Sequence, residues 1–240
     1  MSALRELGPE PDEPDEPEEP VERLRRWREL EALGRPLVVL IGGATGVGKS
    51  TVATEVAARL GITRVSSTDF IRQIMRSVVA EAIAPELSRS SFELDRGSGP
   101  DNARSHSEFE RQAQEVLVGV RATIDRAVAE GTSIVLEGIH LLPCLIDLAG
   151  VRDALVVAVI LQVEDEDDHE ERFARRARAS RRPAARYGDG LDAIRALQGH
   201  LVGCAQGNGV PVIANRDEQA TVRCVLHVVL NAVDDALQPR

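Results

Sequence analysis

Aromatic residues make up only 2 % of the 240, with one tryptophan and one tyrosine. A chain this short of stacking surface, with a net charge of −10, has neither the rings nor the basic footprint that hold polynucleotides. Nucleic acid is not an expected partner. No apolar run approaches the roughly 20 residues of a membrane span, and no basic, apolar, small-residue series opens the sequence. No membrane partner is expected, and the cytoplasm is the expected location. Cysteine is limited to Cys144, Cys204 and Cys224, odd in number and without paired ligand spacing. That argues against a disulfide framework or a zinc site and for reduced thiols. Lysine is the scarcest charge: of 29 basic residues, only Lys49 is not arginine. A codon bias toward arginine accounts for the others but leaves the exception, which lies in a glycine-rich loop. A compact ammonium fits a loop that wraps phosphate closely, where a planar guanidinium does not.

What is present suffices for one full domain. A hydrophobic content of 43 % can fill a single sizeable core. Residues 1–20 alternate proline with carboxylates and read as a disordered acidic tail. Residues 21–34 carry Val21, Leu24, Trp27, Leu30 and Leu33 on one helical stripe, with Trp27 expected as its anchor on the main domain, 35–240. Short runs rich in β-branched residues predict strands at 36–42, 63–67, 132–138, 154–163 and 210–215. Continuous apolar runs suit a parallel sheet buried on both faces, and helical patterns lie between them. The expected fold is therefore α/β: a doubly wound, parallel, five-stranded sheet in a three-layer sandwich. The long stretch 70–131 between the second and third strands is expected to grip substrate.

"GATGVGKS", Gly43 to Ser50, lies between a buried strand and a helix and fits the P-loop pattern in full. Gly43, Ala44, Thr45, Gly46, Val47, Gly48, Lys49, Ser50 and Thr51 are the candidate nucleotide-binding residues. Backbone N–H groups and the helix N-terminus cradle phosphate, Lys49 reaches the terminal phosphates, and Ser50 ligates Mg²⁺. The base-reading signature of GTPases is absent, because no lysine follows Asn215 and the later acid is Glu218. ATP is the expected nucleotide. Asn215, after the last strand, either contacts the base or shapes a turn.

Three further segments carry candidate chemistry. In "SSTDFIRQIMR", Asp69 lies at the carboxyl end of the second strand, where it orients or deprotonates an acceptor hydroxyl, or else caps the helix. Arg72 and Arg76, four apart, form an anion clamp or a solvated face. In "SIVLEGIH", Glu137 ends a buried strand as a second Mg²⁺ or attack-orienting residue. His140 is a substrate candidate or a structural histidine. "HEERFARRARASRRPAARY" holds seven arginines and reads as a lid over 165–190, with Arg172, Arg176 and Arg182 the candidates for triphosphate contact. Lys49, Asp69 and Arg176 form the expected catalytic set.

Taken in order, "GGATGVGKST", "STDFIRQIMR", "LSRSSF", "EGTSIVLEGIHLLP", "HEERF" and "GVPVIAN" resemble the 2-phosphoglycerate kinase family over about residues 36–232. The resemblance implies a shikimate- and nucleotide-kinase-like P-loop NTPase fold. It also implies Mg·ATP-dependent phosphorylation of the free hydroxyl of 2-phosphoglycerate to 2,3-bisphosphoglycerate. On that basis Lys49 and Ser50 serve nucleotide and metal, Asp69 the acceptor hydroxyl, and Arg72 and Arg76 the substrate's carboxylate and phosphate. The alternatives are a kinase of another hydroxylated acceptor, such as a sugar, cyclitol or antibiotic, and a nucleotide-binding regulator without acceptor. The expected partner is a small anionic hydroxy acid, with a homodimer as the assembly to test.

Overall fold

A computed structural model describes residues 27, 29, 30, 32, 34–88, 102–147, 150, 151, 153–179 and 191–238. The sheet is built from β1 (Leu37–Gly43), β2 (Val65–Ser67), β3 (Ile134–Gly138), β4 (Leu155–Gln162) and β5 (Val212–Ala214). The helices are α1 (Lys49–Leu60), α2 (Thr68–Val78), α3 (Asn102–Ala129), α4 (Glu166–Ala179), α5 (Leu191–Gly207) and α6 (Glu218–Leu237). The strands lie in the order β2-β3-β1-β4-β5, all parallel. All five expected strands are present. Only β2 and β5 are markedly shorter than expected, because each is an edge with one neighbour to pair with.

The continuous apolar run of β1 follows from burial on both faces. Leu37, Val39 and Ile41 join one apolar cluster with α1, α5 and α6, while Val38 and Leu40 join a second with α2 and α3. Successive side chains of a strand point to opposite faces, so a strand central to three layers has no polar side. On average, each fully buried aliphatic side chain contributes about 1.5–3 kcal/mol of transfer free energy.

Local signals set the helix ends. Gly61 terminates α1 in the left-handed conformation at φ 69°, its N–H and that of Ile62 closing on the Ala58 and Ala57 carbonyls. The described residues between 27 and 32 are helical, and Trp27 is 4 % exposed. Its indole N–H donates to the Leu60 carbonyl at 3.0 Å, satisfying a group that the end of α1 leaves open.

The stretch between β2 and β3 carries α2, a 3-10 turn at Pro85–Ser88 and the long α3, which pack on one another. Ser67 caps α2 by accepting from the Phe70 N–H at 3.1 Å. The capping alternative for Asp69 therefore falls.

One expectation is corrected. Cys144, just after β3, and Cys204, in α5, are joined as a disulfide with Cα atoms 5.3 Å apart across 60 residues of sequence. Cysteine spacing carried no hint of it, because only the packing of α5 beside the loop after β3 brings the two sulfurs together. Cys224 alone is a free thiol, and it is exposed.

Candidate active site

The P-loop turns from the end of β1 into α1. Gly48 occupies the N-cap position in the left-handed region, φ 87° and ψ 15°, and no side chain caps the helix. The first N–H groups of α1 are thereby left to a ligand, and the helix dipole favours an anion there. A Cβ at Gly48 would lie 2.5 Å from the Asn215 amide nitrogen, with the Arg172 guanidinium close behind. Glycine is required by both conformation and space. Lys49 donates from Nζ to the Ala44 carbonyl at 2.7 Å. Thr51 is exposed on the first turn of α1.

Beneath the loop, the Ser50 hydroxyl donates to Glu137 Oε1 at 2.9 Å. Ser50 is exposed whereas Glu137 is buried. Glu137 pairs in register with Ile41 of β1 and Ser67 of β2, so it stands at the carboxyl edge of the sheet's centre. A buried carboxylate is costly unless a donor or cation meets it. Among the described residues no group of three or more His, Cys, Asp or Glu converges, so no all-protein metal cage is built. A hydroxyl and one carboxylate suit Mg²⁺, which keeps several of its waters.

Asp69 begins just past Ser67, in the first turn of α2, with its side chain 69 % exposed. Arg72 stands 3.7 Å from it and also donates to the Leu87 carbonyl at 2.9 Å, which ties α2 to the 3-10 turn. Arg76 lies exposed one turn further along α2. Behind these residues His140 is completely buried, its Nδ1 at 2.8 Å from the Thr68 hydroxyl and its Nε2 at 3.3 Å from Gln112 Oε1. Burial pushes its pKa down to about 4; Asp69 acts in the opposite direction, and Arg72 and Lys49 act with burial. The ring is neutral at pH 7 and fixes the start of α2 from behind. Gln112, on α3, also donates to the Glu86 carbonyl at 2.5 Å, so the 3-10 turn is held from both helices.

On the other flank, the Asn215 amide is engaged at both ends. Its Nδ2 donates to the Val47 carbonyl at 2.8 Å, and its Oδ1 accepts from the Thr221 hydroxyl at 2.9 Å. Its side chain braces the P-loop. Arg172 donates to the Asn215 carbonyl at 2.6 Å and to Asp168 at 3.2 Å. A cleft of about 390 Å³ opens here, lined by Val163, Glu164, Asp165, Asp168, Asn215 and Arg216. The side chain of Arg176, on α4, and all of Arg182 lie outside the described residues.

Thr68, Gln112 and His169 join the site without a signal of their own. His169 sits in "HEERF", where Arg172 draws attention, yet it is buried with Nε2 at 2.9 Å from the Thr45 carbonyl. Burial lowers its pKa, opposed by that bond and aided by Arg195, Arg172 and Lys49. Only the folded chain brings α4 to the loop.

Comparison with known proteins bears on this arrangement. The family of AAA domains matches residues 39–190. The 2-phosphoglycerate kinase of Methanocaldococcus jannaschii is 39 % identical over 196 residues, covering 81 % of this chain and 63 % of that protein. That of Methanothermobacter thermautotrophicus is 39 % identical over 206 residues, covering 83 % and 67 %. That of Thermococcus kodakarensis is 38 % identical over 211 residues, covering 87 % and 71 %. The chain thus spans about two thirds of the length of these relatives. Among solved structures, a shikimate kinase from Acinetobacter baumannii aligns at a TM-score of 0.48 and 13 % identity, covering 88 % of this chain and 99 % of that one, too slight a likeness to bear on substrate.

Proposed function

The chain belongs to the 2-phosphoglycerate kinase family, and from that premise we propose that it transfers the γ-phosphoryl group of ATP to the free hydroxyl of 2-phosphoglycerate, giving 2,3-bisphosphoglycerate. The observation that carries the reading is the Ser50–Glu137 pair beneath a complete P-loop, with Asp69 and Arg72 at the end of the neighbouring strand. Phosphoryl transfer demands little covalent chemistry of the protein; it demands positioning and charge.

The roles divide by place. The loop N–H groups and Lys49 receive the triphosphate, and the cleft beside Asn215 takes the nucleoside end. Ser50 and Glu137 hold Mg²⁺, which when bound neutralises charge on the transferring group. Asp69 accepts the proton of the acceptor hydroxyl. Arg72 and Arg76 offer guanidinium forks to carboxylate and phosphate. His140 and Gln112 keep α2 and the 3-10 turn in place, so they act through Asp69 and Arg72. Arg172, together with Arg176, supplies cationic charge from α4.

No helix among the described residues is long and apolar enough to cross a membrane. A reaction that consumes ATP supports a cytoplasmic location. An exposed apolar stripe, Phe70, Ile74 and Val78 on α2, supports a homodimer, which light scattering of the purified chain would test.

The deciding experiment is ADP release from Mg·ATP with 2-phosphoglycerate, 3-phosphoglycerate, glycerate or no acceptor. Stimulation by 2-phosphoglycerate alone is expected. A response to 3-phosphoglycerate or glycerate that equals or exceeds it would move the acceptor assignment, and a flat response to all would favour a nucleotide-binding regulator.

A further inference from the structure

The P-loop contains two peptide bonds that precede a glycine, Thr45–Gly46 and Val47–Gly48, and both glycines have positive φ, 88° and 87°. A peptide followed by glycine is the kind that rotates readily, because no Cβ opposes the reversed orientation. In a trans peptide the carbonyl and the N–H point in opposite directions. Whatever captures the carbonyl of Thr45 therefore also aims the N–H of Gly46, and whatever captures that of Val47 aims the N–H of Gly48. A reversed peptide would turn a carbonyl dipole toward the phosphates in place of a donor.

Both carbonyls are captured. Asn215 takes that of Val47 at 2.8 Å, and His169, from α4, takes that of Thr45 at 2.9 Å. Because a carbonyl only accepts, the His169 Nε2 carries the hydrogen. The His169 side chain is fully buried and the bond itself partly buried, so a donor lost there leaves the Thr45 carbonyl without this partner. Arg172, one turn along the same helix, holds the Asn215 carbonyl at 2.6 Å. One helix thus reaches both latched peptides, the first directly and the second through Asn215.

We propose that His169 is a positioning residue for nucleotide binding: it latches the Thr45–Gly46 peptide so that the Gly46 N–H faces the triphosphate. This rests on reading the P-loop as the ATP site and not on the identity of the acceptor. It gives "HEERF" a role separate from that of its arginine, Arg172, and couples the start of α4 to the shape of the cradle.

The test compares the full-length wild-type chain with His169→Leu, His169→Phe and His169→Gln. Leucine and phenylalanine remove the donor, and phenylalanine keeps the ring's volume. Glutamine restores an amide N–H at similar reach. Calorimetry of Mg·ADP binding without any acceptor is the first readout, steady-state KM for ATP and for acceptor the second, and melting temperature the control. The donor-less variants should bind Mg·ADP about tenfold more weakly, the loss of one partly buried hydrogen bond. The KM for acceptor should stay within about twofold, and glutamine should recover most of the nucleotide affinity. Wild-type affinity in a donor-less variant would overturn the proposal. So would equal weakening by phenylalanine and glutamine at unchanged melting temperature, because packing would then be the cause. Should the leucine variant not fold, the phenylalanine and glutamine pair decides alone. Failure of the wild type to bind Mg·ADP would remove the P-loop reading and the latch together. Absence of stimulation by 2-phosphoglycerate, with nucleotide affinities ordered as expected, would remove only the acceptor.

Discussion

Ser50 and Glu137, 87 residues apart in sequence, meet through a 2.9 Å hydrogen bond at the carboxyl edge of the sheet. The strand register prepares it: Glu137 is level with Ile41, whose strand runs into the loop that leads to Ser50. Replacing Glu137 with Gln keeps the shape and an oxygen acceptor and removes only the charge. Turnover should fall on the order of 100-fold, as when one preorganised electrostatic group is lost, and half-saturation by Mg²⁺ should rise. The check is a magnesium titration of ATP turnover in both proteins; unchanged magnesium dependence would take Glu137 out of the metal site.

Lys49 is the only lysine in the chain, and it folds onto the Ala44 carbonyl of its own loop. Lys49→Ala should lose about a thousandfold in turnover while melting with the wild type, and Lys49→Arg should not restore it, since the fork is too broad for the loop. Its solitude offers a second check. An amine-reactive ATP analogue should modify this side chain alone, as mass mapping would reveal, and excess ATP should protect it.

The disulfide between Cys144 and Cys204 closes a loop across 60 residues, worth about 4 kcal/mol in the chain-entropy account. Without reductant, a thiol reagent should titrate one cysteine per native chain, Cys224; after reduction and unfolding it should titrate three. Reduction should lower the melting temperature, and Cys204→Ser should lower it equally. Three reactive thiols in the unreduced, unfolded chain would refute the pairing.

His140 supplies a pH signature. Its folded pKa, about 4, lies below the ordinary 6.5 because burial disfavours the charged ring. Between those values the unfolded state binds more protons, so the contribution is fully present above about pH 6.5 and is lost as pH falls toward about 4. The slope approaches about 1.4 kcal/mol per pH unit in that window. Asp69, Arg72 and Lys49 all act on the ring, and His169 adds a shift of the same sign. Denaturant melts at pH 7, 6 and 5 should therefore give a shallower decline for His140→Gln than for the wild type. Equal declines would mean that His140 is not buried neutral.

Much of the molecule was legible before folding. The five expected runs became the five strands, and the central ones are the most continuously apolar because they are covered on both faces, whereas β2, Val-Ser-Ser at an edge, is exposed to half-buried. The glycine loop declared itself through residues that only a phosphate cradle needs, and Gly61 ended α1 where a left-handed residue closes a helix. Those are local constraints, written in neighbouring residues. The rest depended on distance. Asn215 could be read as a base contact or a turn former until its amide was found spanning Val47 and Thr221. His169 opens "HEERF", yet nothing in that segment foretold its role, since its partner is a backbone carbonyl 124 positions away. Gln112 and the two paired cysteines are of the same kind. The sequence by itself determined which chemistry the chain can carry, because strand, loop and helix N-terminus follow from nearest neighbours. Only the tertiary structure decided which side chains support that chemistry, because hydrogen bonds between distant elements exist only once the packing of α3, α4 and α5 around the sheet has set the distances between them.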